Sequence, residues 1–215
     1  MTTQLSLYNG ALRELGERKL ASLSENTEAR RSLDDVYTGA LKYCLEQGYW
    51  KFALRSSKLD YEPSFTPPSG FTLNRQFEIP ADHVRLAKMC TDGSFNSPLL
   101  DYVEEAGFWF ANVDEIYVSY VSNDSTYGSD MSLWPESYIL FVERYLASKV
   151  AKRLGISDKD RDELNKELKK AKTDARSKDA LQGPTQFLPQ GSWVSSRAGG
   201  RGGFRDRGSR GQLIG

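Results

Sequence analysis

Histidine and cysteine are almost missing from this chain: His83, Cys44 and Cys90 are all there is in 215 residues. A lone histidine excludes a histidine-rich metal centre. Two distant cysteines are too few for a zinc cage or a disulfide framework. No apolar run reaches the roughly 18–20 residues that cross a bilayer, so no membrane partner is expected. Met1-Thr2-Thr3-Gln4 places no basic region before an apolar block, so no secretory leader is expected. Charge of one sign is lacking as well. Lys+Arg and Asp+Glu are 29 each, for a formal net charge of zero, which argues against a chain-wide nucleic-acid binder. Catalytic motifs are missing too. There is no nucleophile elbow and no metal-ligand pair, and the glycines from Gly199 to Gly203 neither follow a strand nor open a helix. No cofactor is expected, and the chain is not expected to be an enzyme.

What is present is an ordinary globular composition, 39% hydrophobic and 27% charged, with one compositional break. From Gly183 to Gly215 there are Arg197, Arg201, Arg205, Arg207 and Arg210 against the single acid Asp206, and half of the glycines. That stretch carries +4 and leaves −4 on the rest.

Four segments read as helices. Leu5, Tyr8, Leu12 and Leu15 form one stripe at spacings of three and four, with Gly16 as the stop. A second helix starts at Asn26 or Thr27, with Glu28 in its first turn. Its apolar face runs through Leu33, Val36, Tyr37, Ala40, Leu41, Cys44 and Leu45 to Gly48. Trp50, Phe52 and Leu54 follow as a plug at the end of a bundle. Trp134-Pro135-Glu136 opens a third helix with proline at its first position; Tyr138, Phe141, Val142, Tyr145, Leu146, Val150 and Leu154 line it, and Gly155 closes it. Ser157 with Asp160 caps a fourth helix to about Leu181. Its seam of Leu164, Leu168, Ala171 and Ala175 is thin, and it carries eight basic against seven acidic residues. Such a helix belongs on the outside.

Between Leu59 and Val121 the period changes to two. Phe71, Leu73, Phe77 and Ile79 alternate with polar residues. Val84 and Leu86 suggest a second strand, and 108–110 with 116–121 suggest a hairpin. The class is therefore α+β: a mainly α-helical bundle with an inserted small antiparallel β-sheet and an extended C-terminal arm. The divisions are 1–57 with 132–182 for the bundle, 58–131 for the β-rich insertion and 183–215 for the Gly/Arg-rich arm.

The residues with chemical potential have plain structural readings. His83 reads as a surface or turn residue, and Cys44 as inert core. Glu104 and Glu105 could form an acid/base pair, but neighbours on a strand face opposite ways. Asp34 and Asp35 read as solvent-facing. The arm stands out: Arg197-Ala-Gly-Gly-Arg201-Gly-Gly-Phe204-Arg205 resembles RGG-type nucleic-acid-binding segments. Equally, glycine lets an arm follow a groove on a protein partner, with Trp193, Val194 and Phe204 as anchors.

Several segments together carry a resemblance: Ser24-Glu-Asn-Thr-Glu-Ala-Arg-Arg31; Leu45-Glu-Gln-Gly-Tyr-Trp50-Lys-Phe-Ala53; Phe77-Glu-Ile-Pro-Ala-Asp-His-Val-Arg85-Leu; Ile116-Tyr-Val-Ser-Tyr-Val121; Trp134-Pro-Glu-Ser-Tyr; and Leu146-Ala-Ser-Lys-Val-Ala151. Their order, over roughly residues 5–182, resembles the head-to-tail adaptors of short-tailed bacteriophages, also called tail tubular protein A. The resemblance implies a homo-oligomeric ring, usually of twelve copies, between the portal protein and the tail nozzle (tubular protein B). Genomic DNA would pass through its lumen without specific binding. It implies a virion location at the portal vertex after synthesis in the host cytoplasm. It also implies an arm that reaches the portal, here through Trp193, Val194, Arg197, Arg201, Phe204 and Arg205. The alternative expectations are an RGG-type nucleic-acid binder using the arm and, less directly, a cell-wall-degrading tail enzyme.

Overall fold

The computed structural model describes residues 2–183. The arm from 184 onward, with all six expected portal contacts, lies outside the described residues. Met1–Leu181 forms one unit. Four helices and two small antiparallel sheets build a mixed α+β fold.

Local chemistry accounts for the helix ends. Helix α1, Gln4–Glu14, begins with a capping box: Ser6 N–H donates to Thr3 Oγ1 at 3.2 Å and Thr3 N–H to Ser6 Oγ at 2.9 Å. It stops at Gly16, whose φ of +70° lets Glu17 N–H reach the Leu12 carbonyl at 2.9 Å. Helix α2, Glu28–Glu46, is capped by Thr27. Helix α3, Glu136–Val150, departs from expectation in one detail. Pro135 is the N-cap, with ψ of 147°, and not the first helical residue. Its carbonyl accepts the Tyr138 and Ile139 N–H groups at 2.9 and 3.1 Å, so the proline's fixed φ serves the extended approach. Helix α4, Asp158–Leu181, is capped by Ser157. The Ser157 hydroxyl accepts the Asp160 N–H at 3.3 Å and donates to the Asp160 carboxylate at 2.7 Å.

Helix α3 packs against α1, α2 and α4, which is why its apolar surface is the broadest. The stripe on α1 sits slightly off the expected one: Leu7, Tyr8, Ala11 and Leu12 are buried, while Leu5 and Leu15 are only partly covered. Trp50 is 1% exposed. Its indole N–H donates to the Cys44 carbonyl at 3.0 Å, and its ring meets Tyr138 edge-on at 4.8 Å.

The strands are β1 (Leu54–Asp60), β2 (Arg75–Glu78), β3 (His83–Cys90), β4 (Val103–Glu105), β5 (Phe108–Ala111) and β6 (Glu115–Ser122). They pair as β1-β6-β3 and β2-β5-β4. The expected hairpin of 108–110 with 116–121 does not form. Both edges of β5 are taken by β2 and β4, and both edges of β6 by β1 and β3. The tight hairpin is β4–β5, turned by Ala106 and Gly107 with φ of 51° and 86°, a pair of left-handed residues suited to a primed turn. The alternation from Phe71 to Ile79 condenses to four strand residues because β5 offers only four partners. Leu54 was expected in the plug but opens β1, a strand that crosses position 57/58. The two sheets share an apolar cluster of Phe77, Met89, Trp109, Ile116, Val118 and Tyr120.

Candidate interaction surface on the fourth helix

The residues with catalytic potential lie on three elements, α2, β3 and β4. Glu104 accepts the Trp109 indole N–H at 2.9 Å, and Glu105 is exposed on the same short strand. His83 is not a turn residue: it opens β3 and stands edge-on to Trp109, 5.3 Å away, between the two sheets. Burial pushes its imidazole pKa down, opposed by the charges of Glu104 and Asp82. Asp82 holds the loop before β3 by accepting from Arg55 at 2.9 Å, Tyr120 at 3.1 Å and the Ser122 hydroxyl. Burial works to raise its carboxyl pKa. The bonds from Ser122, Arg55 and Tyr120 outweigh burial and keep it low. Cys44 is fully buried, and burial raises its thiol pKa. Asp34 and Asp35 are exposed yet occupied: Tyr8 donates to Asp34 at 2.8 Å, and Arg153 to Asp35 at 2.9 Å. Among the described residues no group of three or more His, Cys, Asp or Glu could hold a metal ion. No helix among them is long and apolar enough to cross a membrane.

Helix α4 is different. Of its 24 residues only Leu164, Ala171 and Ala175 are buried, with Leu168 partly covered against the same core. Two charged flanks run beside this seam. Toward α1 lies a cleft of about 350 Å³ lined by Glu14, Asp160, Glu163 and Glu167 over Leu15 and Ile156. Arg144 bridges Glu14 and Glu167 at 3.2 and 3.3 Å. Toward α2 and α3 lies a groove of about 540 Å³ with Lys166, Lys169 and Lys172 and the single acid Asp162 on its rim. Its floor is Tyr43, Phe141, Tyr145 and Leu168. Tyr43 lies flat on Tyr145, with centroids 4.5 Å and planes 13° apart, and remains 38% exposed. Lys149 reaches over the Tyr145 ring at 5.1 Å. Desolvation, then the neighbouring Arg176 charge, lowers the Lys172 pKa.

The far end of α4 is clamped to the segment after α2. Lys172 donates to Gln47 Oε1 at 2.6 Å, and Arg176 donates to the Gln47 carbonyl. Lys51 N–H donates to Asp179 at 2.9 Å. From β3, Arg85 donates to the Glu46 carbonyl at 2.9 Å and covers the Tyr49 ring at 4.3 Å. Three cations from two distant elements thus serve the electronegative end of α2, where helix carbonyls lack partners.

The lysine period on α4 is visible in the sequence, but the tyrosine pair comes from two other helices. Only the fold brings these groups together. No family model matches the chain, and no curated protein matches its sequence.

Proposed function

We propose that this chain is a non-enzymatic structural adaptor of a short-tailed phage virion. Copies form a ring, twelve in the resembling family, between portal and tail nozzle, and DNA passes through the lumen. In this reading the helices form a bundle, and the arm from 183 onward reaches the portal through Trp193, Val194, Arg197, Arg201, Phe204 and Arg205. The protein acts in the virion and needs no cofactor. The observation that carries the reading is α4, a 24-residue helix with three buried residues and flanks of opposite charge. A helix that buries so little within its own chain leaves most of its surface for another molecule. Charged faces of this kind set register between repeated copies more than they add affinity. Support also comes from the element order, with two small sheets inserted between the pair α1 and α2 and the pair α3 and α4.

The test is native mass spectrometry of the dilute protein alone and mixed with a candidate portal. The adaptor reading expects a single copy alone and many copies on the portal. A chain that ignores the portal but shifts with single-stranded oligonucleotide supports the RGG-type reading instead.

A further inference from the structure

Helix α4 carries an acidic flank and a basic one. Glu163, Glu167 and Asp174 recur on one side at spacings of four and seven. Lys166, Lys169 and Lys172 recur on the other, along the groove, at spacings of three. At helical rise, Glu163 to Asp174 spans about 17 Å and Lys166 to Lys172 about 9 Å. The ion pairs α4 makes among the described residues are Arg144–Glu167 and Arg161–Asp158. Glu163, Asp174, Lys166 and Lys169 form no ion pair there, while Lys172 and Arg176 are held by Gln47.

We infer that the basic, tyrosine-floored groove of one copy docks the acidic flank of α4 from a second copy of this chain. The inference rests on the ring reading and adds to it which surfaces meet. The groove has the makings of an anchor: an apolar aromatic floor, one open tyrosine face and a basic rim. The complementary surface is on the same chain, where Glu14, Asp160, Glu163 and Glu167 line the facing cleft. The two surfaces face different neighbours, one toward α1 and the other toward α2 and α3. A two-fold pair engages both surfaces at once and stops at two copies, whereas a head-to-tail contact leaves one of each open on the pair; the ring reading selects the second. The contact repeats head to tail, the arrangement that closes rings. A groove of lysine and tyrosine also suits single-stranded nucleic acid. The observations favour the second copy because the chain itself carries the matching acidic flank.

The experiment uses the full chain and two double variants. One carries Lys166→Glu with Lys169→Glu; the other carries Glu163→Lys with Asp174→Lys. All four positions are exposed and outside the buried seam, and circular dichroism verifies that both variants keep the fold. Sedimentation velocity is run at high protein concentration and low ionic strength, where screening is weak. The wild type should associate beyond a dimer. Each variant alone should associate at least about tenfold more weakly, the equivalent of about 1.4 kcal/mol. An equimolar mixture should regain wild-type association, because each altered flank then meets its opposite. Variants that associate as the wild type does overturn this interface and leave the ring to another face. A wild type that stays monomeric throughout also overturns it, while assembly on the portal keeps its own test. Binding of oligo(dT) that disappears in the Lys166→Glu, Lys169→Glu variant while self-association persists assigns the groove to nucleic acid and overturns the inference.

Discussion

Replacing Gly128 by alanine tests the packing of the loop that leads into α3. A Cβ at this position would stand 2.1 Å from the Ser122 carbonyl oxygen, with Leu45 Cδ2 at 3.1 Å and Ala53 Cβ at 3.2 Å. The first obstacle is backbone, at the end of the central strand β6, and cannot rotate away. The loop has to move outward. Two hydrogen bonds move with it: Gly128 N–H to the Ser122 carbonyl at 3.2 Å, and the Trp134 indole N–H to the Gly128 carbonyl at 2.9 Å. Overpacking costs about 1–3 kcal/mol, and each bond about 1 kcal/mol. The sum is a loss of about 3–5 kcal/mol. At about 2–4 °C per kcal/mol for a chain of this size, the melting temperature should fall by about 6–20 °C. Gly39→Ala is the control. It lies in the middle of α2 with nothing within 4 Å of the added Cβ. It should stabilise by about 0.5–1 kcal/mol through helix propensity alone. Urea unfolding followed by tryptophan fluorescence reads both, since Trp134 is buried beside the loop. A Gly128→Ala loss below about 1 kcal/mol, against the 1–3 kcal/mol of ordinary overpacking, would show that the loop yields freely and would refute the reasoning.

Trp50→Ala should cost about 3–5 kcal/mol, because it empties a fully enclosed site beside Tyr138; a urea midpoint that barely moves would mean the site collapses around the smaller residue. Burial lowers the His83 pKa below its ordinary value near 6.5, so the folded state binds its proton later than the unfolded chain does. Stability from this group is complete above about pH 6.5 and falls with pH until the lowered folded value is passed. His83→Gln should flatten that part of the urea-midpoint profile, and an unchanged slope would assign it to other groups. Truncation after Gln182 should leave the circular dichroism and melting of the body unchanged, since it removes none of the buried residues described above, and should abolish attachment to the portal. A truncated chain that still attaches would remove the arm from the portal contact.

Much of this fold is decided locally. Helices α1, α2 and α4 begin at a threonine or serine cap and α3 at Pro135, α1 and α3 end before the left-handed glycines Gly16 and Gly155, and their apolar periods mark the faces that α3 gathers. The thin seam of α4 and its eight basic and seven acidic residues are equally plain in the chain, because helical period is a local property. The sheets were legible only as alternation. Whether β5 pairs with β6 depends on which edges other strands already occupy, and those strands are distant in sequence. The positive φ of Ala106 has no glycine at that position to announce it. His83 read as a surface or turn residue because its neighbours Trp109 and Tyr120 come from other strands. The α4 groove divides in the same way. Its lysine row follows from spacing within one helix. The Tyr43–Tyr145 floor joins α2 to α3 and exists only once the helices pack, because hydrophobic burial is non-directional and takes its partners from the whole chain.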